Sequence, residues 1–538
     1  MGSESAGAES PRATPLRIVF SLMHAGYLRH YAEPLRLLIE QGHEIHLSLG
    51  QPDKEPVDGL LVERLLALGP NVSVRYGPTR SYVDGWRRIA WLVRGLTDLV
   101  RYADPRYAHA TALRDRTHAK VVGRVRQSKM EPVSKRVVAR YAARIAGASS
   151  AEEAQRYRAS LARFEQAMPP SRRHLSLLRR LQADAVLASP VVEVGSPQVE
   201  FVKAARHLGI PSGVCIASWD NLTNKGLIRV VPDRVIVWNE FQRREAVEFH
   251  GVAEDAVVLT GAQKFDEWFG RQPSTSRAEF AAKAGLDPKR PFLLYLGSSP
   301  FIAPTEASFG RRWIAALRGA GRPELAEAGI LIRPHPQNGA QWRDFDGGEN
   351  VVVWPPAGAQ PDAGAARADF FDSLSHAAAV VGVNTSALIE AGIVGRSVFT
   401  LLDPEFAGTQ EGTLHFHYLL RENGGFLHVA HDVGEHVEQL AAALRGAEND
   451  TARTRAFVQT FVRPHGLERA CTPLVARAIE ELAALGPRPP LRPPLSARLL
   501  RYALLPFVLG NAGVAAIVYA AERVRGGRSR SAELDEYA

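Results

Sequence analysis

Ile330-Leu-Ile-Arg333-Pro334-His335-Pro336 and, about 50 residues on, Val383-Asn384-Thr385-Ser386-Ala387-Leu388-Ile389-Glu390 are the two pieces of sequence whose reading decides the fold. Each begins as a short apolar run that ends abruptly in polar and turn-forming residues, the signature of a strand buried on both faces. The first ends in a rigid loop, because two prolines restrict the backbone on either side of His335. The second runs straight from Ala378–Val383 into a helix predicted from Ala387 to Val394. Strand, loop, helix and strand in succession build an open parallel sheet, and ligands of such sheets collect at the carboxyl ends of the strands.

The same alternation extends outward in both directions. Toward the N-terminus it includes Phe292–Leu296, followed by the turn Gly297-Ser298-Ser299-Pro300, and toward the C-terminus Ser397–Leu402. An earlier series begins at Leu16–Leu22 and His43–Leu49, and resumes at Asp184–Ser189, Ser212–Ala217, Arg234–Trp238 and Val257–Thr260. The expected fold is therefore α/β, with two Rossmann-like doubly wound domains in series facing a cleft. The predicted divisions are a disordered tail over 1–15, a first domain over 16–265, a second over 266–485, and a proline-rich linker with an apolar helix over 486–538. Between about 86 and 180 strands vanish and arginine and alanine take over, which reads as a helical insertion. A solvated helical face accounts for that pattern better than a binding surface does.

The length of 538 residues suits two large domains, and 46% apolar with 23% charged residues is ordinary for a globular chain. Two cysteines, Cys215 and Cys471, make no disulfide framework or cysteine metal site. Met1–Pro15 lacks the apolar run of a signal peptide. The net charge of +9 comes without the interleaved aromatic and basic residues of a nucleic-acid surface, which favours a membrane surface or a polyanionic substrate. Leu499–Ala521 is nearly all apolar and flanked by arginines on both sides. Its length would span a bilayer, but Pro506, Gly510 and Gly513 interrupt it. An in-plane helix and a helix packed back on the first domain are the two readings that stand.

The candidate donor-binding residues lie at strand ends in the second domain. Asn384, Thr385 and Ser386 open a helix, where free N–H groups attract an anion, although all three are also ordinary capping residues. Glu390, four residues after Ser386, shares its helix face and would reach a ribose. Arg333 and His335 would hold a phosphate or meet the leaving group. Ser298 and Ser299 would donate to a phosphate, or simply form a turn. In the first domain His24 and then Asp220 are the candidate general bases.

Two Rossmann-like halves carrying Arg-Pro-His-Pro and then Asn-Thr-Ser-Ala-Leu-Ile-Glu resemble the GT-B glycosyltransferase superfamily. Within it the similarity is to a branch of surface-polysaccharide enzymes that includes CDP-glycerol glycerophosphotransferases, capsule-polysaccharide transferases and bacterial sialyltransferases. The resemblance places His335 and Pro336 on the His-Pro motif that binds donor phosphates, Thr385 and Ser386 on the Ser motif, and Glu390 on the ribose-binding glutamate. It also implies a C-terminal helix, within 468–485, that returns to the first domain. The implied activity is an inverting, metal-independent transfer from a nucleotide-activated sugar or polyol phosphate to a glycan or lipid-linked acceptor, with no cofactor. The implied setting is the cytoplasm, peripheral to the inner face of a bacterial membrane. A nucleotide-sugar 2-epimerase and a non-enzymatic scaffold of a polysaccharide assembly complex are the alternatives.

Overall fold

The computed structural model describes residues 14–50, 56–81, 83–128, 132–148, 150–356, 364–446 and 450–525. The tail expected over 1–15 lies almost wholly outside them. In the first domain β1 (Arg17–Leu22), β2 (Glu44–Leu49), β3 (Val72–Tyr76), β4 (Ala185–Ser189), β5 (Ser212–Cys215), β6 (Arg234–Val237) and β7 (Val257–Leu259) form one sheet. Its order is β3-β2-β1-β4-β5-β6-β7, with every pairing parallel. The second domain repeats the plan with β8 (Phe292–Leu296), β9 (Gly329–Arg333), β10 (Val351–Val353), β11 (Ala379–Gly382), β12 (Val398–Leu401) and β13 (His428–Ala430). These strands are also parallel, in the order β10-β9-β8-β11-β12-β13. Both sheets reverse their winding at the first strand. A crevice therefore opens beyond β1 and β4 in one domain and beyond β8 and β11 in the other.

β4, β8, β9, β11 and β12 are buried along their whole length, as strands covered by helices on both faces must be. The two cores meet: Trp219 and Trp238 of the first domain share one apolar cluster with Phe416, Leu419 and Phe461 from beyond β12. Helix Thr472–Ala483 returns to the first domain, where Val475, Ile479 and Leu482 join the core beneath β1 and β2.

Between residues 86 and 181 the described residues form helices and their connections, as expected, but not simply a solvated face. Helices Trp86–Val100 and Ala151–Ala167 are held to helix Val199–Leu208 by internal charges. Arg94 donates to both oxygens of Glu165 at 3.0 and 2.9 Å and to Glu200 at 2.6 Å. Arg80 reaches Glu200 at 2.8 Å, and Lys203 reaches Glu165 at 2.7 Å. All five side chains are buried, and charges removed from water persist only when paired in this way.

The terminal apolar segment forms one helix, Leu495–Arg525. One face lies on the insertion: Val508 and Leu504 join its core, and Arg501 Nε donates to Ala167 O at 2.7 Å. The opposite face carries Leu499, Tyr502, Phe507, Leu509 and Ile517, each more than 60% exposed. The stretch Leu495–Ile517 is long and apolar enough to cross a membrane, and only 11% of its apolar window is buried.

Candidate functional site

The crevice of the second domain brings the two sequence motifs together. Gly297, just beyond β8, donates its N–H to Arg333 O at 2.9 Å. A Cβ on Gly297 would stand 2.8 Å from His335 N, so glycine is what allows the Ser298–Ser299 turn to lie against the Pro334–His335 loop. On the other side Asn384 N donates to Ser298 Oγ at 3.3 Å. The ends of β8, β9 and β11 thus form one surface, on which Ser299, His335, Thr385 and Ser386 are half-buried.

Not every expected residue faces a ligand there. Ser298 is fully buried; its N–H donates to the Glu306 carboxyl at 2.8 and 2.9 Å. The Asn384 amide donates to Thr409 O and Thr413 Oγ1, both at 3.1 Å. These two residues join loops rather than offer free donors. Arg333, expected at the donor phosphates, is buried instead and pairs with Asp369 at 2.8 Å. Its charge is neutralised inside the domain because Asp369, on helix Gly364–His376, lies against the end of β9. Ser386 occupies the N-cap of helix Ala387–Ile393, yet its hydroxyl makes no capping bond. Glu390 follows on that seven-residue helix and is half-buried.

His335 is placed to donate. Its Nδ1 accepts the N–H of Gln337 at 3.2 Å, and burial holds its pKa below the ordinary histidine value. A neutral ring whose Nδ1 accepts must carry its proton on Nε2. His335 is therefore able to offer a hydrogen bond from Nε2 to an oxyanion.

Across the cleft, His24 and Asp220 are brought close through Tyr27. The His24 and Tyr27 rings are 4.9 Å apart, edge to face. Burial, then Glu193 and Asp220, push the Tyr27 hydroxyl well above its usual range. At Asp220 burial acts to raise the pKa, but Lys225, His415 and Arg116 outweigh it and hold the carboxyl below its ordinary value. Asp220 is thus an ionised, weak base, suited to holding charge more than to taking a proton at neutral pH. His415 comes from the second domain; its ring lies 4.4 Å from that of Trp219, and burial lowers its pKa to about 4.

Glu193 is the residue the sequence reading missed. It follows β4, at the reversal of the first sheet, and lies 3.4 Å from Lys225 Nζ. The approach to it is strained: Val191 has φ of 57°, a conformation that costs a β-branched residue about 1–3 kcal/mol. Gln198 braces this turn by donating to Ser21 O at 2.9 Å and Ser189 O at 2.7 Å. Ser189-Pro190-Val191-Val192-Glu193 is related in form to Arg333-Pro334-His335: a buried strand followed at once by proline, with the polar group three residues after the proline in the first and one after it in the second. That likeness was the available signal.

Glu193 also lines two adjoining cavities, of about 720 and 400 Å³. The larger reaches from Met23 and Gly50, beyond β1 and β2, to Asn511 and Ala515 of the terminal helix. The smaller is walled by helix Thr111–Gln127 through Lys120 and Arg124. That helix also touches the second domain, since the Arg116 guanidinium lies 3.7 Å from the Phe301 ring centroid.

No family model matches the sequence, and no curated protein matches it. Among solved structures the chain is similar to UDP-GlcNAc 2-epimerase from Methanocaldococcus jannaschii, at 11% identity and a TM-score of 0.47, over 86% of this chain and 99% of that one. It is similar to a glycosyltransferase from Rickettsia africae ESF-5, at 9% identity and a TM-score of 0.46, over 87% and 98%. It is also similar to WaaG, a glycosyltransferase involved in lipopolysaccharide biosynthesis, at 10% identity and a TM-score of 0.43, over 86% and 99%. Likeness this distant bears on neither activity nor substrate.

Proposed function

We propose that the protein is an inverting glycosyl- or polyol-phosphate transferase that uses a nucleotide-activated donor. The observation that carries this reading is the convergence of Ser299, His335, Thr385 and Ser386 on one crevice, opposite a cavity-bearing first domain. The donor nucleotide lies on the second domain, with Glu390 toward its ribose. The Nε2–H of His335 and the hydroxyls of Thr385 and Ser386 donate to the nucleotide phosphate that departs, a diphosphate after attack at carbon or a monophosphate after attack at phosphorus, as negative charge develops on it. The acceptor lies in the first-domain cavities. Its hydroxyl oxygen bonds to the transferred carbon or phosphorus from the face opposite the nucleotide, and the bond to the nucleotide breaks. The hydroxyl proton passes to a base on the first domain, for which His24 and Glu193 are the candidates. No metal or other cofactor is assigned a step. The exposed apolar face of the terminal helix lies on a membrane and keeps the enzyme where lipid-linked acceptors are.

Calorimetric titration of the full chain with UDP, CDP, CMP, GDP and dTDP, without added metal, tests the donor site. Saturable binding of one nucleotide, lost in His335→Ala and Ser386→Ala, is the expected result. Absence of binding by all five refutes the reading and leaves a scaffold role. The same donor site would serve a nucleotide-sugar 2-epimerase. Epimerised nucleotide sugar formed with no acceptor present would establish that activity in place of transfer.

A further inference from the structure

Helix Thr111–Gln127 of the insertion carries a row of cations, two of which face a cavity. Arg116, Lys120 and Arg124 recur every four residues on helix Thr111–Gln127 and so share one stripe of its surface. Ala119 and Gly123 lie between them, and a Cβ on Gly123 would meet nothing within 4 Å. Lys120 and Arg124 line the 400 Å³ cavity together with Trp91, Gln127 and Glu193. The Arg124 guanidinium lies 5.4 Å from the Trp91 ring centroid, and Arg116 Nη2 donates to Asn224 O at 2.9 Å. Arg94 and Lys203, by contrast, are buried against carboxylates. Among the described residues, Arg116, Lys120 and Arg124 have no carboxylate within ion-pair distance. Glu193 faces Lys120 as an opposing charge but lies beyond ion-pair distance, and it is shared with Lys225, 3.4 Å from it.

Lys120 and Arg124, which among the described residues meet no carboxylate within ion-pair distance and have room between them at Gly123, complement an anion of more than one charge. Arg supplies a planar fork and Lys a mobile point charge, a pairing suited to a tetrahedral phosphate. We propose that the insertion forms an anion subsite for the acceptor: Lys120 and Arg124 hold a phosphate ester of the acceptor beside Trp91, while its reacting hydroxyl faces Glu193. The acceptor role rests on the transferase reading; the anion site does not. The phosphate belongs either to a soluble phosphorylated molecule or to a lipid headgroup. The second source is compatible with the larger cavity, one wall of which is the terminal helix at Asn511 and Ala515.

Two probes separate these sources on the full chain: sn-glycerol 3-phosphate, followed by calorimetry, and phosphatidylcholine vesicles with or without phosphatidylglycerol, followed by co-sedimentation. The variant is Lys120→Gln/Arg124→Gln. Arg114→Gln/Arg126→Gln removes the same charge from the same helix without touching the cavity residues. The expected result is a roughly tenfold or greater loss of affinity for one probe in the cavity variant, as for a lost charge-assisted hydrogen bond, with nucleotide affinity unchanged and the control near wild type. Loss toward glycerol phosphate identifies a soluble phosphate acceptor. Loss toward anionic vesicles alone identifies a headgroup. If the wild type binds neither probe, or both double variants behave alike, the subsite is overturned while the donor site stands on its own nucleotide data. If the cavity variant loses phosphate but no nucleotide binds the wild type, the transferase reading falls and an anion site remains.

Discussion

The tautomer of His335 is the most direct point at which to test the donor site. Nδ1 is occupied by the Gln337 N–H and burial lowers the ring pKa, so its contribution to a bound diphosphate is one Nε2–H donor to a charged oxygen. Such a bond is worth about 1.5–3 kcal/mol, and 1.4 kcal/mol is a factor of ten. Replacement by alanine therefore weakens the nucleotide diphosphate roughly 10- to 150-fold. Asparagine and glutamine divide the two functions of the ring. Asparagine keeps an acceptor for Gln337 N–H and is a good N-cap, but lacks a donor at the Nε2 position. Glutamine reaches that position with its amide and gives up the cap. His335→Gln should retain most of the affinity and His335→Asn should bind as poorly as alanine, in calorimetry with a nucleoside diphosphate and the matching nucleoside. The nucleoside, without phosphate, should bind all four proteins alike. A neutral donor also predicts a flat affinity between pH 7 and 9. If His335→Asn binds like the wild type, or if wild-type affinity drops about tenfold per pH unit over that range and the drop disappears in His335→Ala, the reasoning is refuted. The first result would leave the ring with a capping role only, and the second would require a cation.

Three further outcomes follow from other parts of the molecule. Glu200→Ala removes the acceptor of Arg80 Nε, Arg94 Nη2 and Ser171 N. Breaking a buried charge set of this kind costs about 3–5 kcal/mol; a loss below about 1 kcal/mol in urea unfolding would show that the insertion does not depend on it. Leu509→Glu/Ile517→Glu places two charges on the exposed face of the terminal helix and should abolish vesicle co-sedimentation while leaving nucleotide binding intact. Equal sedimentation of variant and wild type would remove the membrane contact. Glu245 accepts from Tyr418 Oη at 2.6 Å across the domain interface, and burial raises its pKa to about 8. Its folded pKa lies above the unfolded value, so the unfolded chain releases the proton first, and stability is lost as pH rises from about 4.5 to 8. Glu245→Gln keeps an acceptor without the titration and should gain on the wild type progressively across that interval. A stability difference independent of pH would contradict the assignment.

What the sequence determined by itself was the scaffold and which polar residues stand at the strand ends of the second domain. Runs such as Gly329–Arg333 and Phe292–Leu296 are apolar because helices cover both faces of a parallel sheet, and they stop at polar turns because the chain there leaves the core. Both facts are local, so the strands and the loops bearing Ser299, His335, Thr385 and Ser386 were legible without coordinates, whereas the order of the strands, and with it the point where each sheet reverses, came from the fold. Pairing was not. Arg333 and His335 stand two residues apart, yet one is buried against Asp369 and the other is half-buried at the crevice. The arginine-rich insertion reads as uniform, yet Arg94 is locked inside against Glu165 and Glu200 while Lys120 and Arg124 line a cavity. The reason is physical: a charged side chain's role depends on whether a carboxylate from a distant segment comes within a few ångströms of it. Only the tertiary structure brings residue 94 to residue 200, or leaves residue 124, among the described residues, without such a partner.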